Sequence, residues 1–332
     1  MNGYIPRDPT TLALVAGLLA ATLLAGHAIS RLPPRWPARL LAWSLGIGAT
    51  VAAERLTAEE PAGLRMLAIV GGLLYAMKAV VTVEARADGM PALSAWRWLG
   101  FAAAWPGMRP AIFSPAGLRR CAGGWRLVGR GLLSAGCGLA LVGLAWAAWH
   151  RHPRWLPTDA ARVAATVLLL PGLSLILHFG IFNVAAGLWR LAGVDARPLF
   201  RGPLAARSLG EFWSQRWNVA FSEMTAIGIY RPLSAACGRR PALVAAFLAS
   251  GVLHELAISV PVLAGFGLPL AYFSLHGMLV FVEHLLAKAG RPVRGWGPAA
   301  HAWVLGWLVV PLPILFHRPF LRGVVWPLIG AA

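Results

Sequence analysis

Charge is scarce in these 332 residues: 13% are Asp, Glu, Lys or Arg, against 58% hydrophobic, at a mean hydropathy of +0.66. Soluble domains carry about a quarter of their residues charged. A soluble enzyme, a soluble nucleic-acid-binding domain and a disordered tail are therefore excluded. Lysine is nearly missing, with only Lys78 and Lys288, so the formal net charge of +18 is an arginine charge. Cysteine is limited to Cys121, Cys137 and Cys237, which cannot all pair and show no metal-type spacing. A disulfide framework is not expected. No H-E-x-x-H pair, no G-x-S-x-G elbow and no phosphate-cradling glycine loop occurs, so the metal, triad and P-loop motifs are set aside. There is no internal repeat.

What the chain does have is apolar runs long enough to cross a hydrocarbon layer of roughly 30 Å. Eight candidate spans fall at about 11–30, 38–53, 64–83, 129–149, 162–188, 242–264, 268–287 and 298–316. The first is too long for a signal-peptide h-region and is read as a retained span. The stretch 319–330 is too short to cross, and is expected in the interface or against the bundle. The arginines sort by loop. Connections 31–39, 84–128, 189–241 and 288–297 are rich in them, whereas 54–63 holds Glu54, Glu59 and Glu60. The positive-inside rule then places the rich connections in the cytoplasm and the N-terminus outside. Sixteen tryptophans against four tyrosines suit interfacial anchoring.

The second long connection contains SLGEFWSQRWNVAFSEMTAIG at 208–228. Ser208 followed three residues later by Glu211 is a capping-box start. Trp213, Trp217, Phe221 and Met224 then recur at helical spacing, with Ser214, Asn218 and Ser222 on another face. The spacing predicts one amphipathic helix over 208–228, stopped at Gly228. Alone, that pattern also fits an interfacial anchor helix.

Ionisable groups inside spans are costly and point to function or to a polar network. His254 lies about twelve residues into the 242–264 span, or roughly 18 Å at ~1.5 Å per residue, close to the midplane. Glu255 follows it, but neighbours on a helix point about 100° apart. His276 and Glu283 lie seven residues apart on one face of the next span. They read as members of an inter-helix polar network, as do His178 and Asn183. His284 and His317 read as interfacial.

Several segments occur in a telling order: WPGM (105–108), SLGEFWSQRWN (208–218), YRPL (230–233), SGVLHEL (250–256), LHGMLVFVE (275–283) and LFHRPFL (315–321). Together they resemble the membrane-bound O-acyltransferase superfamily, and within it the wax synthase-like branch. The specific part is FWxxRWN combined with HEL. This resemblance implies an all-α, polytopic fold of about eight transmembrane helices, with cytosolic amphipathic helices around an internal tunnel. It implies one domain over 1–332, with N-terminal spans in 1–90 and the catalytic region in 91–332. It implies acyl transfer from acyl-CoA, a co-substrate rather than a cofactor, to the hydroxyl of a lipophilic alcohol. The family's membrane histidine maps onto His254, and the residue ending its tryptophan-rich motif onto Asn218. Trp213, Arg216, Trp217, Glu255 and His276 are the expected substrate-binding residues. Arg216 either meets CoA phosphates or pairs with Glu211, Glu223 or lipid headgroups. No metal or nucleic acid is expected, and the expected location is a bacterial inner membrane.

The residues agree with that chemistry. A hydroxyl attacking a thioester needs a base, and a buried neutral imidazole is suited to it. The tetrahedral oxyanion needs a donor, which a side-chain amide supplies. No Ser or Cys sits in an evident triad, which favours direct attack by the alcohol. Besides a lipid-binding or scaffold protein that keeps the fold without activity, two alternatives remain at this point. One is acyl or acetyl transfer to another hydroxyl, such as that of a sterol, secondary metabolite or glycan. The other is a transporter using His254, Glu255, His276 and Glu283 as a path.

Overall fold

The structure, a computed structural model, describes residues 3–153 and 155–331. It is helical throughout, and among the described residues the extended pairing is one antiparallel bridge between Leu118 and Val194. Helix α1 (Pro9–Arg31) begins where the Asp8 carboxylate accepts the Thr10 N–H at 2.9 Å. It ends just before Pro33 and Pro34, which disfavour further helix. Helix α2 (Trp36–Leu56) returns antiparallel, and α3 (Ala62–Ala87) forms the buried post of the bundle. An amphipathic α4 (Ala95–Ala102) follows, with Trp96 exposed and Trp98 buried.

Among the described residues, seven helices are long and apolar enough to cross a membrane: α1, α3, α5 (Gly124–His150), α6 (Thr158–Leu191) and three later ones. The protein is thus an all-α, multi-pass membrane protein. Helix α2 falls outside those seven, because its ends carry Arg39, Glu54 and Arg55. Its 21 residues still run the depth of α3. A Cβ on Gly72 of α3 would stand 3.3 Å from the Ala49 carbonyl oxygen of α2.

Helices α5 and α6 meet closely along a seam of small residues, against both backbone and side-chain atoms. Gly124, Gly131, Gly138 and Ala145 recur every seven residues and are all buried. A Cβ at Gly138 would lie 2.6 Å from the Gly172 carbonyl oxygen, and one at Gly131 would lie 2.8 Å from that of Gly180. Between membrane helices, such close approach supplies the van der Waals contact that lipid does not otherwise favour.

The chamber-building helices come next. Helix α7 (Leu209–Glu211) continues as a wider π turn over Phe212–Arg216. Helix α8 (Val219–Thr225) continues through a π turn at Ala226–Tyr230 into Arg231–Cys237. Then come α9 (Arg239–Val262), α10 (Leu268–Lys288) and α11 (Pro298–Leu315). The C-terminal turns pack on the bundle, with Phe320, Val325 and Trp326 buried and the Trp326 indole donating to Thr166 Oγ1 at 2.8 Å.

Three π turns share a cause. Those at 226–230, 255–259 and 321–325 each end two residues before a proline: Pro232, Pro261 and Pro327. A proline ring clashes with the carbonyl four residues back. That carbonyl belongs here to Gly228, Ala257 or Gly323, and each lies inside the widened turn that swings it aside.

The main apolar core draws on Ala42, Val80, Trp98, Phe113, Phe200 and Met224. It therefore runs across residue 90 and joins the N-terminal spans to the rest.

Candidate active site

The site starts at Ser208. Its Oγ accepts the Glu211 N–H at 3.0 Å, the expected cap. The remaining orphan donors of α7 are met from outside. Glu283 on α10 accepts the Leu209 N–H at 2.7 Å and the Gly210 N–H at 2.9 Å, and also the Trp303 indole at 3.0 Å. The network expected of Glu283 is thus a carboxylate seated on a helix N-terminus, where the macrodipole favours negative charge.

The single helix expected over 208–228 is broken. Trp217 is extended (φ −103°, ψ 125°) and Asn218 is left-handed (φ 42°, ψ 60°), so a new helix starts at Val219. The stop expected at Gly228 does not occur, and helix runs on to Cys237. The i, i+4 spacing survives the break, so periodicity could not reveal it. The signal was Asn218 itself. Asparagine is among the few residues that tolerate the left-handed region and also cap well. Its Oδ1 accepts the Phe221 N–H at 3.3 Å. Its Nδ2 has no hydrogen-bond partner among the described residues, so one end of the amide caps and the other end is available.

His254 occupies the last α-helical position before the π turn of α9. Its Nδ1 lies 2.7 Å from the Ser250 carbonyl oxygen. A carbonyl only accepts, so Nδ1 carries the proton and the Nε2 lone pair is left for a base. The ring is held at 4.1 Å (centroids) from Phe273 and 5.5 Å from Phe221. Phe221 thus links the two candidates, since its N–H bonds Asn218 and its ring meets His254.

Both residues line one chamber of about 700 Å³. Its walls include Trp213, Trp217, Phe221, Ser222, Phe247 and Phe273, and its rim Glu211, His284 and Arg294. Trp213 is fixed by donating its indole N–H to His276 Nδ1 at 3.1 Å. His276 is fully buried behind that indole and is not in the lining. Arg216 likewise stands outside the lining. Its Nε donates to Glu211 Oε1 at 2.6 Å, and its Nη1 reaches the carbonyls of Arg201 and Gly202. Burial alone would raise the Glu211 carboxyl, but the bonds from Arg216 and the Arg207 N–H, with Arg294 nearby, hold it below its ordinary value. Glu255 turns away from the chamber and caps α10, accepting the Gly267 N–H at 2.8 Å and the Leu270 N–H at 3.0 Å. Of the seven predicted residues, the structure gathers His254, Asn218, Trp213 and Trp217 on the chamber wall. Arg216, Glu255 and His276 stand behind it as supports.

Among the lining residues that were not singled out as site residues, three carry polar groups of note. Tyr230 belongs to the YRPL segment, Ser222 to the polar face of the predicted helix, and His284 was read as interfacial. His284 Nδ1 donates to the Val280 carbonyl at 2.8 Å, leaving its Nε2 free at the rim.

Residues 196–273 match the model of the membrane bound O-acyl transferase family. Among curated proteins, the chain is similar to probable long-chain-alcohol O-fatty-acyltransferase 9 of Arabidopsis thaliana, at 29% identity over 40% of this chain and 42% of that protein. It is 30% identical to the long-chain-alcohol O-fatty-acyltransferase of Simmondsia chinensis, over 36% of this chain and 39% of the relative. Probable long-chain-alcohol O-fatty-acyltransferase 6 of Arabidopsis thaliana is 32% identical over 37% and 40%. The match spans about two fifths of the length of these relatives. The matched segment holds Trp213, Asn218, His254 and Phe273 of the chamber wall. The chamber-building segment is thus similar to the membrane bound O-acyl transferase family, and the relatives that the chain matches are named as long-chain-alcohol O-fatty-acyltransferases.

Proposed function

We propose that this protein transfers an acyl group from acyl-CoA to the hydroxyl of a lipophilic alcohol. In this reading His254 is the base and Asn218 the oxyanion donor, within a single domain over 1–332 whose catalytic region is 91–332. The observation that carries it is a free imidazole Nε2 and a free amide Nδ2 on the wall of one chamber. The alcohol oxygen attacks the thioester carbon as its proton passes to Nε2 of His254. The Asn218 amide hydrogen-bonds the tetrahedral oxyanion. Collapse breaks the carbon–sulfur bond, and the proton on Nε2 goes to the leaving sulfur. The products are an ester and free CoA thiol, with no acyl-enzyme and no cofactor consumed.

The arginine-rich connections face the cytoplasm in this reading, where an anionic donor would be drawn to them. The bacterial inner membrane is the proposed setting, whereas the relatives named above are plant proteins. The transporter reading loses its path. Glu255 and Glu283 cap helices and His276 holds an indole, which leaves His254 as the one of the four with a free ring nitrogen on the chamber.

The test is purified protein in detergent with labelled acyl-CoA and a panel of alcohols, beside His254→Ala. Ester should form only with an acceptor present, and should fall by about 10²-fold or more in the variant. Ester formation that survives His254→Ala would remove the base from this mechanism.

A further inference from the structure

A second cavity, of about 720 Å³, shares no lining residue with the chamber. The two are separated by an aromatic pair, Phe200 on this side and Trp217 on the other, with centroids 4.9 Å apart. It forms where the two long arginine-rich connections meet at the Leu118–Val194 bridge, on the ends of α5 and α6.

Its lining holds six guanidiniums, Arg119, Arg120, Arg130, Arg190, Arg197 and Arg201, against one carboxylate. That carboxylate, Asp195, pairs with Arg119, Arg190 and Arg197. Burial works against its charge, and the three guanidiniums still hold its carboxyl below the ordinary range. Arg120, Arg130 and Arg201 have no carboxylate partner among the described residues. Arg201 spends its Nε on the Pro198 carbonyl at 2.9 Å, while Arg120 and Arg130 make no hydrogen bond there at all. Asn183 adds a carbonyl-and-amide group to the wall; its Nδ2 bonds the Phe179 carbonyl at 2.9 Å.

Like charges facing one concavity repel unless an anion is placed among them. Guanidiniums match phosphate through paired, charge-assisted N–H donors. The cavity lies within the roughly 300–1,000 Å³ span of small-molecule sites. We infer that this cavity is a phosphate-ester site, separate from the acyl-transfer chamber. Arg120 and Arg130 supply its uncompensated charge, Arg201 stands beside them with Glu223 in Coulombic reach, and Asp195 holds the other three guanidiniums in place. The ester would come either from a phospholipid headgroup at the ends of α5 and α6 or from a soluble nucleotide phosphate. The site does not depend on the acyl-transfer reading, because binding is measured without turnover.

The experiment uses the full chain in lipid nanodiscs. In phosphatidylcholine discs, equilibrium dialysis measures adenosine 3′,5′-bisphosphate. In discs containing phosphatidylglycerol, native mass spectrometry counts retained anionic lipid. The variants are Arg120→Gln with Arg130→Gln, which break no bond of the fold, and Leu127→Trp, which fills the cavity and leaves every guanidinium. Arg126→Gln is the control outside the lining. At least one probe should bind the parent protein, weaken about tenfold or more in both test variants, fall steeply with salt, and be unchanged in the control. Bisphosphate binding assigns the soluble source, and lipid retention without it assigns the headgroup. If neither probe binds the parent protein, or if both test variants bind as the parent does, the site is overturned.

Discussion

Asn218 does three separable things, and three substitutions pull them apart. Its backbone is left-handed, its Oδ1 caps α8, and its Nδ2 is free on the chamber wall. Asp keeps the cap and tolerates the left-handed backbone, but replaces the donor with an acceptor. Gly keeps the backbone and costs only a few tenths of a kcal/mol as a cap. Ala loses the cap, worth about 1 kcal/mol, and adds the left-handed penalty of about 1–2 kcal/mol for a residue with a Cβ. Thermal unfolding in detergent should therefore place Asn218→Asp and Asn218→Gly within about 0.5 kcal/mol of the parent, with Asn218→Ala lower by about 2–3 kcal/mol. Catalysis should order differently. Loss of one oxyanion donor costs about 10²–10³ in kcat, so all three variants should be slow, the stable Gly and Asp ones included, with Asp slowest because a carboxylate repels the oxyanion. Steady-state ester formation at saturating donor measures this. A folded Asn218→Asp protein with kcat within about threefold of the parent would refute the donor role, since a lost oxyanion donor costs at least ~10²-fold. The residue would then be a cap only.

Glu283→Ala strips the acceptor from two N–H groups and an indole, and should destabilise the protein by about 3 kcal/mol or more, read by denaturant unfolding. Glu283→Gln, which keeps one acceptor oxygen, should lose less. Lys78, fully buried, donates to the carbonyls of Trp105 and Gly107 at 2.6 Å each. Lys78→Met leaves both carbonyls unpaired at about 1–3 kcal/mol each, and should raise amide exchange and protease cutting across 103–118. Glu211 has a lowered pKa, so its share of stability is present above its unfolded value of 4.5 and is lost as pH falls through the lower folded value. Glu211→Gln should flatten that acid-side loss in melting temperatures recorded across the acid range.

Much of the frame was readable because a bilayer imposes a length and a polarity on every crossing. The Ser208 cap was equally plain, being a local pattern of two residues three apart. The break at Trp217–Asn218 was not, because tryptophan and phenylalanine at i, i+4 look the same whether or not the chain turns left-handed between them. Glu255 and His276 drew attention as ionisable residues in spans. Their partners, the Gly267 N–H and the Trp213 indole, lie 12 and 63 positions away and appear only on folding. The widened turns did carry a mark in the proline two residues on, but a proline equally announces a kink or a helix end.

The glycine seam between α5 and α6 bears on how the protein is made. The two helices are joined by a short connection and mate through small residues of α5 set against carbonyls and side chains of α6, contacts that need no other part of the chain. They can close on each other as soon as both have entered the bilayer, while the segments from Leu209 onward are still being synthesised. The chamber is then assembled against a hairpin that is already rigid. A bulky residue at Gly131 or Gly138 would therefore show itself first as poor yield from the translocon, in protein whose chamber residues are all intact.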